Sequence, residues 1–124
     1  AGAHVTQLCD APLATDLLSR WVREKGVLSI EEAVHKLTQV QADLYGLTDR
    51  GVLREGMAAD VVVFDPETVA PGPLRRIHDF PADGERLTAD QPVGMRHLFV
   101  NGVPVIRAGQ LTEARPGRPV TLQE

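Results

Sequence analysis

The spacing of apolar residues divides the chain near Asp49, where patterns of helical period give way to short apolar runs separated by Gly, Pro and Asp. From Leu13 to Lys25, the residues Leu13, Leu17, Leu18, Trp21 and Val22 recur on one stripe, with Asp16, Arg20, Arg23 and Glu24 on the other side. This predicts an amphipathic helix ended by Gly26 through a left-handed cap. Ser29 and Glu32 stand three apart, so that hydroxyl and carboxylate can each satisfy a free N–H at the start of a second helix. Its stripe runs Ile30, Ala33, Val34, Leu37, Val40, Gln41 and Leu44, and Gly46 followed by Leu47 predicts its stop.

Beyond Asp49 the pattern is that of strands. Val61-Val62-Val63-Phe64 is continuously apolar and bounded by Asp60 and Asp65-Pro66, which predicts a central strand covered on both faces. His97 to Val100 and Val103 to Arg107 flank Asn101-Gly102, a dipeptide that tolerates the two positive φ angles of a type I′ turn. The expected register sets Val100 against Val103, Phe99 against Pro104 and Leu98 against Val105, with Phe99 and Ile106 on the opposite side of the hairpin from the Val and Leu set. Pro104 lacks an N–H, so its far side should be an edge or an interruption. Between Pro66 and Arg96 stand Pro71, Gly72, Pro73, Pro81, Gly84, Pro92 and Gly94, which predicts an irregular segment with one short strand near Glu85 to Thr88. Arg115 to Pro119 should cross a surface before a terminal strand at Val120 to Leu122.

Composition narrows the function classes. The net charge is −4 with Lys and Arg dispersed, so no basic stripe is present to neutralise phosphates, and nucleic acid is not an expected partner. No apolar run approaches the ~20 residues that span a bilayer, and Ala1-Gly2-Ala3-His4 has neither a basic nor an apolar leader, so neither membrane insertion nor export is expected. A first residue other than Met suggests a piece cut from a longer protein. The lone Cys9 excludes an internal disulfide and fits a reducing, cytoplasmic setting.

Gly51-Val52-Leu53-Arg54-Glu55-Gly56-Met57-Ala58-Ala59-Asp60, leading into Val61-Val62-Val63-Phe64-Asp65, resembles the segment that opens the C-terminal half of the β-domain in the amidohydrolase superfamily. Here Gly51 and Gly56 permit sharp turns, and Asp60 can accept backbone N–H groups in the turn before the strand. Val100-Asn101-Gly102-Val103-Pro104-Val105, with Arg107 and Gly109, resembles the closing hairpin of the same family. Ala1-Gly2-Ala3-His4, then Leu8-Cys9-Asp10 and two helices, is similar to the region after the last barrel strand in N-acyl-D-amino-acid deacylases. The resemblance implies an α+β fragment: two N-terminal helices from the end of a TIM-type barrel over residues 1–48, then a partial composite β-sandwich over residues 49–124. It further implies that a parent enzyme hydrolyses an amide bond, of N-acyl-D-amino acids, with zinc. The family's catalytic Asp aligns just before Ala1, and its metal ligands belong to earlier strands, so no catalytic or metal residue is assigned here and no metal is expected in this fragment by itself. The implied partners are the missing barrel and β-strands of the parent and a small acylated amino acid, with self-association of the isolated piece. A hydantoinase-like cyclic-amide hydrolase and a self-contained β-rich binding or assembly module remain alternatives.

Among individual residues, His4 is the candidate for substrate binding, because three positions after the implied catalytic Asp it would lie at the barrel mouth; the bland alternative is a capping or solvent-exposed histidine. Cys9 and Asp10 share that loop, and a buried inert thiol and a helix-start cap compete with a pocket role. His35 lies beside Glu31 on the polar helix face and reads as solvated. His78, Asp79 and His97 read as isolated, and Arg75-Arg76 as a solvated basic pair in a Pro-rich loop.

Overall fold

A computed structural model, which describes residues 10–120, places helices in the first part of the sequence and antiparallel β-structure after them. Helix α1 covers Leu13–Asp16 and runs directly into a π-helical segment, Leu17–Glu24. The wider winding shows at Lys25, whose N–H donates to the Arg20 carbonyl five residues back at 3.0 Å. It also rotates the buried face. Thr15, Leu18 and Ser19 are buried, whereas Leu13 and Trp21 are exposed, so the stripe expected from a 3.6-residue period fails at those two positions. The hydroxyls of Thr15 and Ser19 donate to the carbonyls of Pro12 and Asp16 at 3.0 and 3.4 Å, which satisfies them inside the fold. Trp21 faces outward between Arg20 and Lys25, whose cationic groups lie 5.9 and 5.6 Å from its ring. Gly26 adopts φ +59° and ends the segment as expected, with the Val27 N–H donating to the Trp21 carbonyl at 2.9 Å.

The start of the second helix forms as the Ser29 and Glu32 spacing requires. The Glu32 N–H donates to Ser29 Oγ at 3.1 Å, and the Ser29 N–H donates to the Glu32 carboxylate at 2.8 Å. Helix α2 then covers Ile30–Leu37. The single helix expected through Leu44 is interrupted at Thr38, where φ −123° and ψ −87° leave the helical region. The Thr38 hydroxyl donates to the Val34 carbonyl at 2.7 Å, a bond that competes with the backbone ladder and favours such bends. Helix α3, Gln39–Leu44, resumes beyond it, and the Leu47 N–H closes its end on the Ala42 carbonyl at 2.8 Å.

Six strands follow: β1 (Val61–Phe64), β2 (Leu74–Phe80), β3 (Gly84–Ala89), β4 (Met95–Val100), β5 (Val103–Arg107) and β6 (Gln110–Leu111). One antiparallel sheet has the order β1-β4-β5-β6, and β2 with β3 forms a separate two-stranded ribbon. The expectation for β1 needs correction, because it pairs only with β4 and so lies at an edge among the described residues. Val62 and Val63 are accordingly 50% and 42% exposed, although their sequence is that of a strand covered on both sides.

The hairpin turn is as expected, with Asn101 at φ +49° and Gly102 at φ +78°, and with Val100 opposite Val103 and Phe99 opposite Pro104. The next pair differs. A bulge places Leu98 opposite Ile106 instead of Val105, so Ile106 joins the face of Leu98. Strand β6 pairs with Ile106 and Arg107 only, and its ladder stops before Pro104, whose carbonyl accepts the Thr112 hydroxyl at 2.8 Å. In the segment expected to be irregular, β3 contains the foreseen strand near Glu85 to Thr88, but its partner β2 was not foreseen. The ribbon turns through Pro81–Asp83, with Ala82 and Asp83 both left-handed at φ +59° and +56°. Residues 112–120 hold no regular element, and the expected terminal strand lies partly outside the described residues.

Leu18, Ala33 and Val69 form the buried centre, with Leu17, Val22, Ile30, Leu37 and Phe64 packed against it. The helices therefore share one core with the end of β1 and the turn after it. Arg23 reinforces that junction by donating to the carbonyls of Pro66 and Val69 at 3.1 and 2.7 Å. Gly51 marks a second close approach. Its φ is +90°, and a Cβ there would lie 2.5 Å from the Cβ of the buried Ala42. Gly51→Ala should therefore cost about 2–4 kcal/mol in urea unfolding, from left-handed strain plus overpacking. Gly26→Ala, where φ is +59° and a Cβ would meet nothing within 4 Å, should cost only about 1–2 kcal/mol.

Candidate functional site

Two places bear on function: the segment that leads into the first helix, and the joint between helices and sheet. At the first, His4 and Cys9 lie outside the described residues. Asp10 is exposed, and its carbonyl, not its carboxylate, accepts the Leu13 N–H at 3.0 Å. The helix-start position is Pro12, where no side chain supplies a capping bond, so the capping role considered for Asp10 is not the one the fold uses. Asp10 instead borders an open cleft of about 310 Å³ with Asp16 and with Gly72 and Leu74 at the base of the ribbon.

The other candidates separate widely. His35 is exposed on α2, as expected. His78 and Asp79, which read as isolated, sit on β2 within a network of charges. His78 Nδ1 lies 3.0 Å from the Asp83 carbonyl, and its two ring nitrogens each lie 3.6 Å from a carboxylate oxygen, of Asp83 and of Glu85. Arg86 grips Asp79 with two nitrogens at 2.8 and 2.7 Å and holds that carboxyl below its ordinary range. Arg75 and Arg76 are strand residues rather than loop residues, paired with Asp90 and Glu85, although both remain well exposed. His97 stacks on Phe99 with ring centres 6.1 Å apart, and its Nδ1 accepts the Ala108 N–H at 3.3 Å. Among the described residues, no three His, Cys, Asp or Glu residues converge on a point where a metal ion could bind. The donor set required for zinc does not fit these residues.

The joint is built on Asp60. One carboxylate oxygen accepts the backbone N–H of Asn101 at 2.8 Å, and the other accepts Arg50 Nη1 at 2.6 Å. Asp60 thus binds the hairpin turn, where the sequence pointed to backbone N–H groups of its own turn. The Gly102 N–H donates to the Ala59 carbonyl at 2.9 Å, and the Asn101 amide Nδ2 donates to the Pro116 carbonyl at 3.1 Å. Arg50 also binds Asp49 through two nitrogens at 3.0 and 3.2 Å. That bond holds the Asp49 carboxyl below its ordinary value and raises Arg50 above its own. Arg50 gave no sequence signal beyond its position between two helices and a Gly. Asn101 was visible only as a turn former, and its amide was not foreseen as a tie to the tail.

The helices are thus joined to a four-stranded antiparallel sheet through a turn centred on Asp60. The match to known proteins gives the family. The model of the amidohydrolase family matches residues 3–106, and the chain belongs to that family. It is 40% identical to an N-acyl-D-glutamate deacylase of Alcaligenes xylosoxydans xylosoxydans over 84% of this chain and 19% of that protein. A solved D-aminoacylase, described for the functional role of its binuclear metal centre, superposes with a TM-score of 0.66 at 31% identity, over 82% of this chain and 19% of that one. The N-acyl-D-glutamate deacylase of Bordetella bronchiseptica, solved with zinc and a phosphonate inhibitor, gives a TM-score of 0.57 at 41% identity, over 73% of this chain and 17% of that one. The protein thus spans about a fifth of the length of these relatives. Among the described residues no helix is long and apolar enough to cross a membrane.

The depressed carboxyls give a sign for pH. Asp49 and Asp79 are held down by Arg50 and Arg86, and Asp65 chiefly by the Glu67 N–H. The stability they contribute is fully present above the unfolded value of about 3.9 and is lost as pH falls through their lower folded values. In acid unfolding, Arg50→Met should flatten this dependence below about pH 4, because Asp49 would then lose its partner. An unchanged acid profile would remove the Asp49 pair from the account.

Proposed function

We propose that this chain is the C-terminal part of an amidohydrolase that, as a whole protein, hydrolyses the amide bond of N-acyl-D-amino acids in the cytoplasm. In this reading residues 1–48 form the end of a TIM-type barrel and residues 49–124 a partial sandwich of the small β-domain. The observation that carries it is the D-aminoacylase likeness, which runs through both helices and strands over 82% of the chain. The exposed edge of β1 agrees, since an apolar strand with Val62 and Val63 half exposed calls for a neighbour, and a strand from the rest of the protein would cover it. An isolated fragment would satisfy that edge by associating with itself. By the same likeness, the metal and the reacting groups belong to the remainder of the enzyme. The contribution of this part is to brace the barrel's last turn and to complete part of its rim, where His4 contacts substrate.

The full-length protein should release free D-amino acid from N-acyl-D-glutamate or N-acyl-D-aspartate and lose that activity on chelation, and the 124-residue chain should show neither hydrolysis nor stoichiometric zinc. Hydrolysis by the short form would overturn the assignment of support. Within the full-length enzyme, His4→Ala should lower turnover roughly 100-fold, the scale of a positioned polar or acid–base group, while His35→Ala on the exposed face of α2 leaves it unchanged. Equal activity in both variants would take His4 out of the site.

A further inference from the structure

The Asn101-Gly102 turn holds a reactive pair of groups. In any Asn-Gly dipeptide the Gly amide nitrogen can attack the carboxamide carbon of Asn, because Gly has no Cβ to block the approach. A new bond forms between that carbon and the Gly nitrogen, the bond from the carbon to its NH2 group breaks, and ammonia leaves with the displaced proton. Water opens the resulting cyclic imide at either carbonyl, to give an aspartyl or an isoaspartyl residue. Both reacting groups are occupied here. The attacking nitrogen of Gly102 donates its proton to the Ala59 carbonyl at 2.9 Å. The leaving nitrogen, Asn101 Nδ2, donates to the Pro116 carbonyl at 3.1 Å, and Asp60 holds the Asn101 backbone N–H at 2.8 Å. The three anchors come from the turn before β1, from the tail and from Asp60, so they also fix the Asn101 backbone from both directions.

We propose that Asn101 is a deamidation site kept dormant by this clamp, and that its modification unfastens the tail from the hairpin. Breaking two such bonds to reach the attacking geometry slows the reaction roughly tenfold to a hundredfold relative to a free peptide. Once formed, the product cannot restore them. An Asp at this position sets a carboxylate oxygen against the Pro116 carbonyl, two acceptors with no proton between them, and adds a second negative charge beside Asp60. An isoaspartyl link adds a backbone atom to a turn whose two residues already occupy left-handed φ. Residues 112–118 then lose a bond that ties them to the hairpin turn, and their backbone amides exchange hydrogen faster.

The test compares ageing of the full-length protein at neutral pH with that of a synthetic peptide spanning residues 96–107, with the 1-Da mass gain and isoaspartate at Asn101 followed by mass spectrometry. The folded protein should deamidate at least about tenfold more slowly than the peptide, and Asp60→Ala should bring its rate towards that of the peptide. Asp79→Ala, which breaks an ion pair on the separate ribbon, should leave the rate unchanged. Equal rates in protein and peptide would overturn the proposal without recourse to any variant. Asn101→Asp should speed amide hydrogen exchange across residues 112–118 in the otherwise intact protein, and unchanged exchange there would overturn the claim that the tail is released.

Discussion

The structure turns on Asp60 and the two groups that its carboxylate holds. One oxygen faces the hairpin turn through the Asn101 N–H, and the other faces the end of the helices through Arg50. These contacts are charge-assisted, and a bond of that kind contributes about 1.5–3 kcal/mol, more than a neutral one. Their value lies as much in geometry as in energy. β1 starts at the next residue, so fixing Asp60 sets where that strand begins and which register it takes against β4. The two sequence segments that mark the family are joined across forty-one residues by this carboxylate, with the Gly102 N–H to Ala59 carbonyl bond beside it.

Around that joint the fold relies on a small core and compensates with directed bonds. Val69 is the one large residue that is fully buried among the described residues, and its carbonyl is gripped by Arg23 from the π-helical segment. The π winding and the Arg23 contact belong together, since the segment's register decides which groups meet Val69 and which turn outward. Large apolar residues lie exposed on α2, α3 and β1, among them Val34, Val40, Leu44, Val62 and Val63.

Local chemistry was the legible part of the sequence. The Ser29 and Glu32 cap, the Gly26 stop and the Asn101-Gly102 turn are each set by residues within a few positions of one another, and each formed as read. Features that depend on distant partners were not legible. The π-helix buries Leu18 and Ser19, and no residue type announces it. Strand β2 was hidden because its charged residues, Arg75, Arg76, His78 and Asp79, are stabilised by partners on or beside β3 and not by an apolar face. The bulge at Val105 shifted the far end of the hairpin, since turn chemistry fixes only the first pairs. At the candidate site, the link from Asp60 to Asn101 joined two motifs whose proximity neither could show alone.

Trp21 is the sole tryptophan of the protein, and the fold places it outside the core, between Arg20 and Lys25 on the π-helical segment. Its emission is therefore an optical probe of the first helix, insensitive to changes confined to the sheet. Because the strands contain no competing indole, fluorescence would follow the first helix while far-ultraviolet circular dichroism follows helices and strands together. A molecule whose helices loosen before its hairpin would reveal that order as two transitions, with Trp21 reporting the earlier one.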